Sequence, residues 1–310
     1  MKMENIKNDF IESQEKRLFE VWAKGFLEGL MGRDWIEELR NKEVLEVLKN
    51  EEVINTLRRY PPEFSKGILE ALIWRFNNFR NEEEIYKASC LLGSNEVVKI
   101  LSPYIRESNK ESAHEIGFWI TDIAFSLLGY KNLFIEAIGE IIGLDPQTAE
   151  KVLPNLYLSI SNLKKLNESE YYIRQIIGVI PTCSSQYVPQ IMHELCEITQ
   201  LLTEKNYEKG LETIETICQT IKIYEDKIKL ELINVFYRLL YTFENTRVVR
   251  EIAKMFNRMS SKDIKKIIEG KEKYQLINEL GTIFLFGKHS EIKDEKSYND
   301  AIRSIRRELK

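Results

Sequence analysis

A chain of 310 residues with 43% hydrophobic and 30% charged residues can bury a large core and lacks the bias of a disordered or fibrous protein. Its 14 glycines and 7 prolines are too few for many-stranded sheets with long loops, and Glu far outnumbers Asp, the poorer helix former; an all-α chain is expected. The formal charge of −4 conceals an uneven distribution, and no apolar run reaches the roughly 18 residues that would span a membrane.

The opening MKMENIKNDF has no apolar stretch of the secretory kind. The sparse cysteines, Cys90, Cys183, Cys196 and Cys218, therefore read as reduced thiols of a cytoplasmic protein. One long amphipathic helix is expected over about 9–31, then short helices over Lys42–Lys49 and Glu51–Arg59, closed by Pro61-Pro62. Residues 1–60 read as an N-terminal helical cap or small appended bundle, and 61–310 as one continuous helical body. Residues 62–106 are expected to hold one or two degenerate helix pairs.

From there the pairs are expected as 113–129 with 131–143, 147–164 with 168–180, 186–203 with 207–222, and 226–243 with 246–258. The apolar residues of 147–164 (Ala149, Val152, Leu153, Leu156, Tyr157, Ile160, Leu163) keep helical spacing, as do Ile233, Phe236, Tyr237 and Leu240. Gly143-Leu144-Asp145-Pro146 and Asn167-Glu168-Ser169 supply short punctuation between helices. Ile141, Ile142, Gly143, Pro146 and Pro154 recur as Ile176, Ile177, Gly178, Pro181 and Pro189, at a constant offset of 35. Such a period marks stacked units, none of which buries its apolar face alone.

Ala137-Ile138-Gly139-Glu140-Ile141-Ile142-Gly143, then Pro146 and Val152-Leu153-Pro154, resembles the passage from one HEAT repeat to the next. Tyr172-Ile173-Arg174 and Val249-Arg250 are similar to the Val-Arg start of a HEAT second helix. The resemblance covers roughly 113–258. It implies a right-handed α-solenoid of HEAT-like helix pairs that serves as an interaction scaffold, with second helices lining a concave face and no catalytic residues to carry over.

Chemistry-bearing motifs are sparse. There is no Gly-x-Gly-x-x-Gly, no Walker loop, no His-Glu-x-x-His and no adjacent Asp pair, so no cofactor is expected. His193 and Cys196, with Cys183 and Cys218, have the ligand types for zinc, but the apolar setting of Cys196 favours buried thiols. Trp119 and Asp122 share a helix face, and HEAT-like alkylpurine DNA glycosylases use an aromatic and an Asp in a concave cleft. Nine acidic residues against four lysines in 111–170 would repel DNA there. A core Trp and a solvated or capping Asp is the plainer reading, and the four tryptophans, at 22, 35, 74 and 119, are expected in core or groove.

Residues 247–310 hold 16 Lys/Arg and 10 Asp/Glu, a surplus of +6, whereas 1–246 hold 29 and 39, a deficit of −10. Arg247, Arg250, Lys254 and Arg258 fall on one helix face, and Lys262, Lys265 and Lys266 follow on the next. This stripe is suited to phosphates or to an acidic protein surface, or is the solvated face of a helix stack. Three functions follow: an adaptor that binds a protein partner, a nucleic-acid scaffold working through the stripe, and an enzyme with Trp119 and Asp122 as its only nominees. The adaptor reading expects an exposed apolar or aromatic strip along one wall.

Overall fold

The structure, a computed structural model, describes residues 2–32, 42–166, 169–205, 209–269 and 271–309. Trp35, Asn167, Glu168 and the predicted helix starts at 168 and 207 lie outside the described residues. The described residues are predominantly helical, with no strand among them. In order the helices are α1 (Lys2–Met31), α2 (Lys42–Leu48), α3 (Glu51–Leu57), α4 (Pro62–Phe79), α5 (Glu82–Leu92) and α6 (Asn95–Glu107). Next come α7 (Lys110–Ser126), α8 (Lys131–Ile142), α9 (Pro146–Lys164), α10 (Glu170–Ile177), α11 (Val188–Glu204) and α12 (Gly210–Lys222). The last are α13 (Asp226–Phe243), α14 (Thr246–Phe256), α15 (Ser261–Glu269), α16 (Lys273–Leu285) and α17 (Glu295–Glu308). No helix among the described residues is long and apolar enough to cross a membrane.

Helix ends follow local chemistry. Side chains of Asn50, Asn81, Asn109, Asp145, Asn245 and Asp294 accept hydrogen bonds from first-turn backbone N–H groups, which have no partner inside the helix. Pro62 and Pro146 occupy first turns, where a missing N–H costs nothing.

The chain divides into two compact units, residues 1–138 and 139–310, with the boundary inside α8. The predicted cap, 1–60, lies within the first unit, where α1 packs on α4 and α3 on α5. In the second unit the helices form two layers. Helices α9, α11, α13 and α16 pack in sequence along one layer, and α10, α12 and α14 along the other. Neighbours in the chain (α9 with α10, α11 with α12, α13 with α14) join the layers. Polar side chains bridge successive helices: Tyr171 donates to Glu215 (2.7 Å) between α10 and α12, and Asn234 to Glu194 (3.2 Å) between α13 and α11.

The 35-residue echo is only partly structural. Ile141-Ile142-Gly143 and Ile176-Ile177-Gly178 both end a helix. Pro146, however, opens α9, whereas Pro181 sits in a 3-10 turn over Ile180–Thr182 and α11 opens at Val188. Pro154 is interior to α9, while Pro189 lies in the first turn of α11.

A longer correspondence relates the two units. Helices α4 and α13 are both 18 residues long and α5 and α14 both 11, and their starts differ by the same 164 positions (62 and 226, 82 and 246). Both long helices end in a left-handed residue, Arg80 (φ 49°) and Glu244 (φ 48°), followed by a capping Asn81 and Asn245. The Tyr60 hydroxyl donates to the last carbonyl of α5, Leu92 (2.7 Å), and Tyr224 to the last carbonyl of α14, Phe256 (2.6 Å). Helices α7 and α16 continue the match, with Gly117 and Gly281 in corresponding places.

Candidate protein-docking groove

The two units differ in how the corresponding helices meet. In the first, α7 crosses α4 at backbone contact: a Cβ on Gly67 would lie 2.0 Å from the His114 carbonyl oxygen, and one on Gly117 2.4 Å from that of Phe64. The small, buried Ser112 and Ala113 complete that approach. In the second unit, Glu231 stands at the place of Gly67, and Leu276 and Ile277 at those of Ser112 and Ala113. Side chains of that size cannot enter a backbone contact. Gly281 is instead covered by the Phe243 ring, 2.0 Å from where its Cβ would be.

The bulk leaves a gap between α13 and α16. It is an apolar pit of about 260 Å³, floored by Ile228 and Val235 of α13, Ile268 of α15, and Leu276 and Ile277 of α16. Asn234, Arg238 and Ile277 also line an adjoining, more open hollow of about 510 Å³. That hollow carries Tyr237, Tyr241 and Tyr274. Tyr237 and Tyr241, one turn apart on α13, stack with centroids 6.3 Å apart. Tyr241 is 65% exposed and Tyr274 76%. Pit and tyrosine shelf thus form one groove on helices of the α9–α11–α13–α16 layer. The exposed tyrosines of the shelf lie on α13 and α16.

Five cations and three carboxylates edge the pit. Lys227 and Lys265 share Glu269 at 3.8 and 3.9 Å, and Lys273 reaches Glu231 at 3.9 Å; all these side chains are more than a third exposed. Pairs so long and so wet contribute little and exchange readily. Arg238, exposed at the junction of pit and shelf, donates to Asn234 (3.4 Å) and meets no carboxylate among the described residues. Lys271 is different: it is fixed to buried Glu279, which also accepts from Gln275 (3.1 Å), Tyr298 (2.8 Å) and Arg306 (3.1 Å). Burial raises the Glu279 pKa, but these donors together outweigh it and hold the carboxyl below its usual range. This cluster fixes α16, one wall of the pit, to α17.

The basic stripe is dispersed by the fold. Arg250 is half-buried and ion-paired to Glu212 of α12; Lys254 pairs with Glu251 (2.9 Å) and Lys266 with Glu295 (2.7 Å). Arg258 donates to the His289 carbonyl (2.5 Å). Arg247 and Lys262 are exposed, and Lys265 alone of the seven reaches the pit rim.

Asp122 is 3% exposed and accepts from the Arg75 Nε at 2.7 Å; the guanidinium lies over the rings of Trp74, Phe79 and Phe125. Burial pushes the Asp122 carboxyl above its usual range against the pull of Arg75. Trp119 is half-buried. Asp122 and Arg75 thus form an internal ion pair of the α4–α7 crossing. Cys196 and Cys218 are buried, and the His193 Nδ1 lies 3.4 Å from the Asn155 Oδ1. Among the described residues no three His, Cys, Asp or Glu side chains converge on a possible metal position.

Sequence reasoning placed Tyr237 in an apolar stripe with Ile233, Phe236 and Leu240. The last three are buried, while Tyr237 turns to the shelf. The readable signal was Tyr237-x-x-x-Tyr241 with Arg238 between: three polar-tipped residues where a core helix carries aliphatics. Compared with known proteins, the chain matches no family model, no curated protein and no solved structure.

Proposed function

We propose that this chain is a non-enzymatic cytoplasmic scaffold, a right-handed α-solenoid of HEAT-like helix pairs, which holds another protein along the α13–α16 groove. The observation that carries the reading is the groove itself: an apolar pit continuous with an exposed tyrosine shelf and with an arginine that meets no carboxylate among the described residues. Tyr and Arg beside a desolvated pocket are the residues that dominate binding energy in protein interfaces. The two-layer packing of the second unit supports the solenoid.

The nucleic-acid reading ranks below it. Five of the seven stripe cations already face a carboxylate or carbonyl, so they release fewer counterions to a phosphate backbone than their number suggests. The glycosylase reading has the weakest support, because Asp122 is enclosed with Arg75.

The test is co-purification of the tagged chain from its host, with and without nuclease, beside the double variant Tyr241→Ala/Tyr274→Ala. Both tyrosines are exposed, so the variant keeps the fold. The expected result is a stoichiometric protein that survives nuclease and is missing from the variant. A partner lost on nuclease treatment would transfer the function to Arg247, Arg250, Lys254, Arg258, Lys262, Lys265 and Lys266. A partner retained by the variant would sink the groove as the site.

A further inference from the structure

We infer that the groove receives an acidic segment of the partner protein carrying one bulky apolar side chain. That side chain fills the gap between α13 and α16, and neighbouring carboxylates meet Arg238 and the lysines of the rim. The inference rests on the scaffold reading and adds the chemistry of what is bound.

Size comes first. About 260 Å³ is room for one large side chain, or two small ones, and not for a helix backbone. The corresponding contact of the first unit shows what fills this place when nothing is missing. There Phe64 of α4, the counterpart of Ile228, lies against Gly117 of α7, and the helices meet. In the second unit Glu231, Leu276 and Ile277 hold the helices apart, and the Phe243 ring covers Gly281. The floor left open is apolar, so its filling by an apolar side chain is favourable by burial alone.

Charge gives the second half. Arg238 meets no carboxylate among the described residues, and the guanidinium is the side chain best suited to take one in bidentate fashion. Glu269 serves two lysines at once, and the third loose pair, Lys273 with Glu231, is no shorter. A carboxylate arriving from a partner replaces weak, solvated pairs, so its own pairing is not offset by breaking strong ones. The preference is for separate carboxylates rather than a polyanion. Glu225, Glu231 and Glu269 at the pit and Glu194 on the shelf would repel a continuous phosphate chain. Tyr241 and Tyr274 offer flat faces with hydroxyl tips to the rest of the segment.

The experiment is selection of a phage-displayed library of short random peptides on the full chain. Winners are resynthesised and measured by fluorescence polarisation against wild type, Arg238→Glu and Tyr241→Ala/Tyr274→Ala. The expected winners combine Asp or Glu with Leu, Phe or Trp. They weaken about tenfold on Arg238→Glu and weaken further as salt rises. Winners that are basic or uncharged, and still lost on the tyrosine variant, would overturn the acidic inference and leave the scaffold reading standing. No enrichment over the tyrosine variant would overturn both. A concentration-dependent dimer of the chain abolished by Arg238→Glu would make the occupant a second copy, and this inference would fall.

Discussion

Helices α4 and α7 of the first unit and α13 and α16 of the second hold corresponding places, yet one pair is closed and the other open. The closed pair has glycines at its crossing and small residues beside them; the open pair has Glu231, Leu276 and Ile277. The difference teaches that corresponding helix pairs of equal length can be closed in one unit and open in the other. Enlarging three side chains at one contact is enough, and the cost is spread over the many contacts of a two-layer stack.

The largest effect expected follows from breaking the closed pair. A methyl group on Gly67 or Gly117 meets a backbone carbonyl that belongs to the facing helix, so no side chain can yield and α7 must move. Gly67→Ala and Gly117→Ala are each expected to destabilise the first unit by about 3 kcal/mol. Trp22, Trp74 and Trp119 lie in that unit and no tryptophan follows position 119 in the sequence, so tryptophan fluorescence during urea unfolding reports it separately. The fluorescence midpoint should fall sharply, while the circular-dichroism signal retains a later phase from the second unit. Coincident, equally shifted transitions would mean that the two units unfold as one. Unchanged midpoints would mean that the crossing is looser than described.

The helices themselves were legible. The spacing of Ile233, Phe236, Tyr237 and Leu240 predicts a helix over 226–243, and α13 spans Asp226–Phe243. Caps and breakers carry that information locally. The crossing was not legible, because a glycine inside a helix reads only as a weak helix former. The meaning of Gly67 depends on Gly117, fifty positions away on another helix. The correspondence at 164 was missed for a similar reason. Thr56 and Thr220, Tyr60 and Tyr224, Phe79 and Phe243, Asn81 and Asn245 are few identities at a spacing far beyond one helix pair. The shorter echo at 35 is legible in the sequence, though its prolines have different positions in the helices. The basic stripe looked free in the sequence because its partners, Glu212 and Glu295, come from other helices.

An intermediate effect distinguishes the two units by acid. Asp122 has one arginine and a folded-state pKa raised by burial; Glu279 has four donors and a lowered one. A lowered carboxyl pKa stabilises above the unfolded value, 4.5 for Glu, and the contribution is lost as pH falls through the folded value. A raised one has the opposite sign: its contribution is present below the unfolded 3.8 and lost as pH rises through the folded value. Acidification below about 4.5 should therefore loosen α16 and α17 before α4 and α7. Hydrogen exchange, corrected for the intrinsic pH dependence, measures it peptide by peptide. Glu279→Gln should remove most of the acid sensitivity of α17. Earlier opening of α4 and α7 would reverse the assignment of signs.

The smallest effect tests what the two units share. Tyr60 and Tyr224 each send a hydroxyl to the last carbonyl of a helix, 2.7 Å to Leu92 and 2.6 Å to Phe256. Those carbonyls have no partner inside their own helices; Phe256 also accepts from the Met259 N–H (2.8 Å), so there the hydroxyl is a second donor. Tyr60→Phe and Tyr224→Phe remove one oxygen and leave the packing of the rings unchanged. Each is expected to cost about 1 kcal/mol, the first in the fluorescence transition and the second in the later dichroism phase. Phe256 keeps its Met259 donor when the Tyr224 hydroxyl is removed, so that loss should be the slightly smaller of the two, although the hydroxyl also lies 3.3 Å from the Met259 carbonyl. Similar costs would mark the tyrosine as a common device by which each unit anchors a short helix to the one before it. A cost at Tyr224 with none at Tyr60 would confine the device to the second unit. The correspondence would then be one of helix length and position, without shared energetics.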